Sequence, residues 1–127
     1  MEHFVQPPGM PPVVGFSHAV AFSGRMLAVS GQVPLDADGT LVGDGDPRAQ
    51  ARQVFTNLGT ALAAAGASMA NVVKLNFYLT DLDDLPVVRE VRDGFLPGPN
   101  PPASTAVGVR ALVDPAFRIE IDALAEI

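Results

Sequence analysis

The chain has no cysteine among its 127 residues, which excludes a disulfide framework, a thiolate nucleophile and a zinc–thiolate centre at the outset. Tryptophan is also missing and Tyr78 is the one tyrosine, leaving few rings on which nucleobases could stack. Lysine is scarce: Lys74 stands alone among eight basic residues, set against fourteen acidic ones. The net charge of −6 opposes a polyphosphate, and nucleic acid is not an expected partner. Long apolar runs are lacking as well. Gly, Pro, Asp or Arg interrupts each of them before it reaches the ~18 residues of a membrane helix, so no membrane partner is expected. Residues Met1–Pro12 show no basic segment followed by an apolar one, no signal peptide is read there, and a cytoplasmic location is expected.

What is present is a 48% hydrophobic content, enough for one domain spanning residues 1–127 with a core of its own. Residues 1–14 are proline-rich and read as an extended arm. "SHAVAFSGRMLAVSG" predicts strands over 17–23 and 26–31, turning around Gly24-Arg25. Asp46 before Pro47 is the pattern of a helix start, a capping carboxylate followed by proline at the first helical position. Phe55, Leu58 and Leu62 recur at helical spacing, and Gly66 supplies the stop.

"NVVKLNFYLTD" alternates, with Val73, Leu75, Phe77 and Leu79 on one face and Lys74, Asn76 and Tyr78 on the other, the period of a half-covered strand. Asp83 is read as the cap of a second helix carrying Leu85, Val88, Val91 and Phe95 inward, with Pro86 tolerated in its first turn. "PGPNPP" stops that helix, and two further strands follow, joined around Asp114-Pro115. The order β, β, α, β, α, β, β predicts an α+β domain, a mixed sheet with two helices on one face.

The strings "FSHAV", "VSGQVPLD", "QARQVFTNLGTALAAAGASMANVVKLNFYLTDL", "REVRDGF" and "IEIDALA" occur here in order over residues 14–126. In this they resemble the RidA/YjgF family, also known as reactive-intermediate deaminases or L-PSP endoribonucleases. The resemblance implies a chorismate-mutase-like fold, a homotrimer with clefts between neighbouring subunits, and hydrolysis of enamines and imines such as 2-aminoacrylate without a cofactor. That chemistry needs a clamp for the substrate carboxylate, a group that manages protons at the carbon–nitrogen double bond, and a positioned water.

By the resemblance, Glu120 of "IEIDALA" holds the water and relays a proton, and Gly31 of "SGQ" offers backbone groups at the cleft. The other family positions depart. The clamping arginine, suited to the task by its planar fork, is replaced by Ser104. The family's first-strand tyrosine is Phe16, and the asparagine of its second helix is Arg89. Arg89 and Arg110 are the two candidates to stand in for the missing cation. The bland alternatives are a solvated Arg89 near Asp93 and an Arg110 paired with Glu120 across a β-hairpin.

Ser104 and Thr105 are read as substrate contacts rather than nucleophiles, since the only possible histidine bases are His3, in the arm, and His18. Two histidines without a carboxylate pattern imply no metal site. The reading is therefore a small-molecule-binding member of the family, leaning to imine or enamine hydrolysis but weak on 2-aminoacrylate. A non-catalytic metabolite sensor is the first alternative and an endoribonuclease the second.

Overall fold

The computed structural model describes residues 1–127 and contains six strands and two α-helices. A four-stranded sheet holds the strands in the order β3 (Met26–Gln32), β6 (Ile119–Glu126), β4 (Val72–Leu79) and β5 (Ala103–Gly108). Pairs β3–β6 and β6–β4 are antiparallel, whereas β4–β5 is parallel. A parallel neighbour cannot be reached through a tight turn, and helix α2 (Leu85–Phe95) supplies the crossover. With α1 (Pro47–Ala64) it covers one face of the sheet, so the α+β reading holds.

Helix α1 begins and ends as its sequence dictates. The Asp46 carboxylate accepts from the amides of Arg48 and Ala49 at 3.1 Å each, and Gly66 closes the C-terminal side at a φ of +74°. Val54, Phe55, Leu58 and Leu62 are fully buried against Leu75, Phe77, Ile119 and Ile121 of the sheet. The Phe55 ring stacks on Phe95 of α2 with centroids 5.3 Å apart, locking the two helices together over the core. Strand β4 buries Val73, Leu75, Phe77 and Leu79 as its alternation requires.

Three local expectations are corrected. The arm is not wholly irregular: Glu2–Phe4 forms β1 and pairs antiparallel with β2 (Ala19–Ala21), so β2 and β3 do not make a hairpin. Strand β3 instead finds a longer ladder on β6. Strands β5 and β6 are likewise not paired, because β6 inserts between β3 and β4 while β5 takes the outer edge of β4. Finally, Asp81 rather than Asp83 accepts the capping bond, at a short 3-10 turn over Leu82–Asp84. Asp84 precedes α2 but turns its carboxylate to Arg118, receiving Nε and Nη2 at 2.8 and 2.9 Å.

Candidate active site

Strand pairing decides which side chains can meet. Ser104 lies beside Leu75 in the β4–β5 ladder, so both face the helices, as do Ala106 and Phe77 two residues on. Between this strip and α2 lies a cleft of about 250 Å³, bounded by Phe16, Leu85, Val88, Arg89, Arg92, Ser104 and the neighbouring strand residues. Phe16 is brought there because the chain at Ser17 extends the free edge of β5. The Ser17 amide donates to Pro102 O at 3.0 Å and its hydroxyl donates to Pro101 O.

Three of the sequence-read residues, Phe16, Arg89 and Ser104, thus meet at one cleft. Arg89 is exposed, and its expected neighbour Asp93 pairs with Arg92 instead. Arg92 was missed by the sequence reading. Its side chain is only 6% exposed, with Nε and Nη2 held at 3.0 and 2.9 Å from Asp93 Oδ1. Its guanidinium also crosses Gly15 so closely that a Cβ there would stand 2.1 Å from Nη2. The signal was available: Leu85, Val88, Arg92 and Phe95 recur at intervals of three, four and three, so Arg92 falls on the inward stripe.

Arg110 is not brought to the cleft. It is exposed beyond the end of β5, and with β5 paired to β4 the hairpin that would set it beside Glu120 does not exist. Thr105 points to the opposite face from Ser104, where its hydroxyl lies 2.7 Å from Lys74 Nζ and accepts its bond. His18 ties the arm, its Nε2 lying 2.9 Å from Pro11 O.

Glu120 and Gly31 do meet, on that second face. The register between β3 and β6 slips between Val29 and Gln32, a bulge that leaves Gly31 against the Glu120 side chain. A Cβ on Gly31 would lie 2.7 Å from Oε1. The half-buried Glu120 carboxylate has no hydrogen-bond or ion-pair partner within the chain. Opposite it on β4 is Tyr78, whose hydroxyl donates to Asp122 Oδ2 at 2.8 Å, while Asn76 Nδ2 donates to Asp122 Oδ1 at 2.7 Å. The bond to Asp122, helped by partial desolvation and by the charges of Asp122 and Glu120, raises the Tyr78 pKa above the ordinary phenol value. Within one chain, therefore, Glu120 and Ser104 lie on opposite faces of the sheet.

No three of His, Asp and Glu converge as a metal-ligand set, and no helix is long and apolar enough to cross a membrane. The chain matches the family model described as Endoribonuclease L-PSP over residues 8–127. It is 41% identical to protein DfrA of Myxococcus xanthus, over 91% of this chain and 88% of that one. It is 34% identical to a 2-iminobutanoate/2-iminopropanoate deaminase of Dermatophagoides farinae, over 89% and 86% of the two chains. Among solved structures it resembles YyfB, a protein of the conserved Rid family from Yersinia pestis, with a TM-score of 0.88 and 40% identity over 97% of this chain and 96% of that one. Sequence motifs, sheet order and these likenesses agree, and the chain belongs to the RidA/YjgF family of L-PSP endoribonuclease-like proteins.

Proposed function

We propose that the protein binds a small imine, enamine or keto metabolite in the cleft beneath α2 and hydrolyses the imine form. The observation that carries the hydrolytic reading is the Gly31–Glu120 pair: a carboxylate with no internal partner, kept clear by the absence of a side chain on Gly31. Such a group can accept a hydrogen bond from a water and take its proton as the oxygen attacks the carbon of the C=N bond. That proton passes to nitrogen to give a carbinolamine; the carboxylate then takes the remaining hydroxyl proton and returns it to the same nitrogen, so that the C–N bond breaks, ammonia leaves and the keto product remains. No cofactor enters this sequence.

Because Glu120 and the Ser104 cleft occupy opposite faces, the complete site forms between copies, with Glu120 supplied by a neighbouring subunit of a homotrimer. The half-exposed outer sheet face, with Val107 40% exposed, favours such an arrangement. Ser104 leaves β5 without a cationic fork, and the chiefly apolar cleft gives the small 2-aminoacrylate little to pack against, so its turnover is expected to be well below that of an arginine-bearing relative. The test is ammonia release from imines generated in situ by an amino-acid oxidase, with Glu120→Gln as control. Release that depends on Glu120 supports the reading, and release unchanged in E120Q refutes it. Ligand-dependent melting shifts without ammonia formation would instead mark a binding module.

A further inference from the structure

Arg92 is under-served where it lies. A guanidinium offers five N–H donors, yet its acceptor in the chain is a single oxygen of Asp93, and Nη1 has none. The Asp93 side chain is 65% exposed, so water damps its field, whereas the Arg92 side chain is 6% exposed. Nη1 is not sealed from water, so it is a donor still open to an anion that enters beside it. The cleft is where that anion can sit, for Arg92 forms part of its wall and Ser104, whose hydroxyl has no partner in the chain, lines the same cleft.

The rest of the cleft fixes the remaining chemistry. Phe16, Phe77, Leu85, Val88 and Ala106 make it chiefly apolar. The small Ser104 and Ala106 leave space along β5 that a long side chain at either position would fill. With Arg89 at the rim and Asp93 offsetting one charge, the local balance favours one negative charge on the guest over two.

We propose that Arg92, reaching the cleft from α2, receives the anionic end of the guest, and that the guest is a monocarboxylate with a bulky apolar body. This rests on the cleft reading above and narrows it to hydrophobic 2-imino acids and the 2-oxo acids they yield. Arg92 takes the carboxylate from the helix side, and the apolar body lies over β5 against Phe16 and Phe77. Gly15, held at a φ of +72°, leaves the guanidinium the space a side chain there would take.

The test is calorimetric titration of the purified full chain with 4-methyl-2-oxopentanoate, its neutral amide and pyruvate. The branched oxo acid should bind about tenfold or more tighter than the amide, the discrimination expected of a charge-assisted hydrogen-bonded pair, and tighter than pyruvate. Arg92→Gln should erase the preference for acid over amide, acid affinity falling much further than amide affinity, and R92K should keep part of it. Should R92Q fail to fold, R92K must reduce the acid preference with the charge still present, since an ammonium lacks the guanidinium's planar fork. Equal affinity for acid and amide, a preference for pyruvate, or no binding of any of the three at millimolar concentration overturns the proposal. So does an acid preference that survives R92Q but is lost in Arg89→Gln. Ammonia release is measured alongside. Arg92-dependent acid binding without turnover sinks only the hydrolytic reading, and turnover of imines with indifference to the carboxylate sinks only the Arg92 assignment.

Discussion

Gly31 and Glu120 are fitted to each other across the β3–β6 bulge, with no room between them for a methyl group: a Cβ on Gly31 would lie 2.7 Å from Oε1 and 2.8 Å from Cδ of Glu120. Gly31 has no positive φ to require glycine, so the demand comes from the carboxylate. Gly31→Ala should therefore rotate Glu120 away and lower imine turnover by about tenfold or more, as a displacement of about an ångström in a reacting group can. The backbone is untouched and the melting temperature should fall by no more than a few degrees. Ammonia release and thermal melting of the same sample check both halves, and a G31A protein with undiminished turnover removes Glu120 from the chemistry.

The elements were legible where a local rule governs them. Asp46-Pro47 and Gly66 fix α1 because capping is decided within one turn, and the strict alternation from Val73 to Leu79 fixes β4 because one face is sealed by helices. Strand partners were not legible, since period two says which side chains share a face and nothing about which neighbour pairs. That gap produced the wrong β5–β6 hairpin and with it the misplacement of Arg110. Arg92 was passed over for another reason. Val91 beside it fits the inward stripe by hydropathy, and the two consecutive residues are buried together, at 6% and 5%.

Tyr78 reports the electrostatics of the outer sheet face without interference, because the chain has no other tyrosine and no tryptophan. Its pKa is raised chiefly by the bond to Asp122, so phenolate absorbance near 295 nm should appear only above the ordinary value of about 10. The raised folded-state value means that the interaction stabilises the protein fully below the unfolded pKa, and this stabilisation is lost as pH rises through the folded one. Asp122→Asn removes the charge and should bring the midpoint down toward that of free tyrosine. A spectrophotometric titration of the two proteins decides it, and coincident curves would show that Asp122 does not govern Tyr78.

Arg118 and Asp84 form a two-bond pair joining the entry of β6 to the start of α2, at 2.8 and 2.9 Å, with Asp84 nearly buried. Arg118 is one-third exposed and lies 3.8 Å from Asp81, so loss of Asp84 leaves it partly compensated. Asp84→Ala should cost about 2–3 kcal/mol at pH 7, the range for charge-assisted hydrogen bonds, rather than the larger penalty of a stranded buried charge. Urea unfolding measures it. Asp81→Ala, touching only the distant contact, should cost well under half as much.

Gln50 is the polar residue most deeply set in the core, and all its hydrogen bonds are spent on backbone. Its Nε2 donates to Gly43 O at 3.0 Å and to Ala116 O at 2.9 Å, and its Oε1 accepts from the Arg118 amide at 2.8 Å. One side chain on α1 thus holds both the loop before the helix and the chain that runs into Ile119 and Glu120. Gln50→Leu preserves volume but strands the Ala116 carbonyl and the Arg118 amide, while Gly43 O keeps the Asp46 amide at 2.9 Å, so the loss should be about 2–3 kcal/mol even after water reaches one of them. The damage should also be local: exchange protection of the Arg118 amide should fall further than that of Leu75 amide in the sheet centre, since the first loses its own acceptor. Urea unfolding with amide exchange read residue by residue tests this, and a uniform loss of protection across β4 and β6 would show that Gln50 acts on global stability alone.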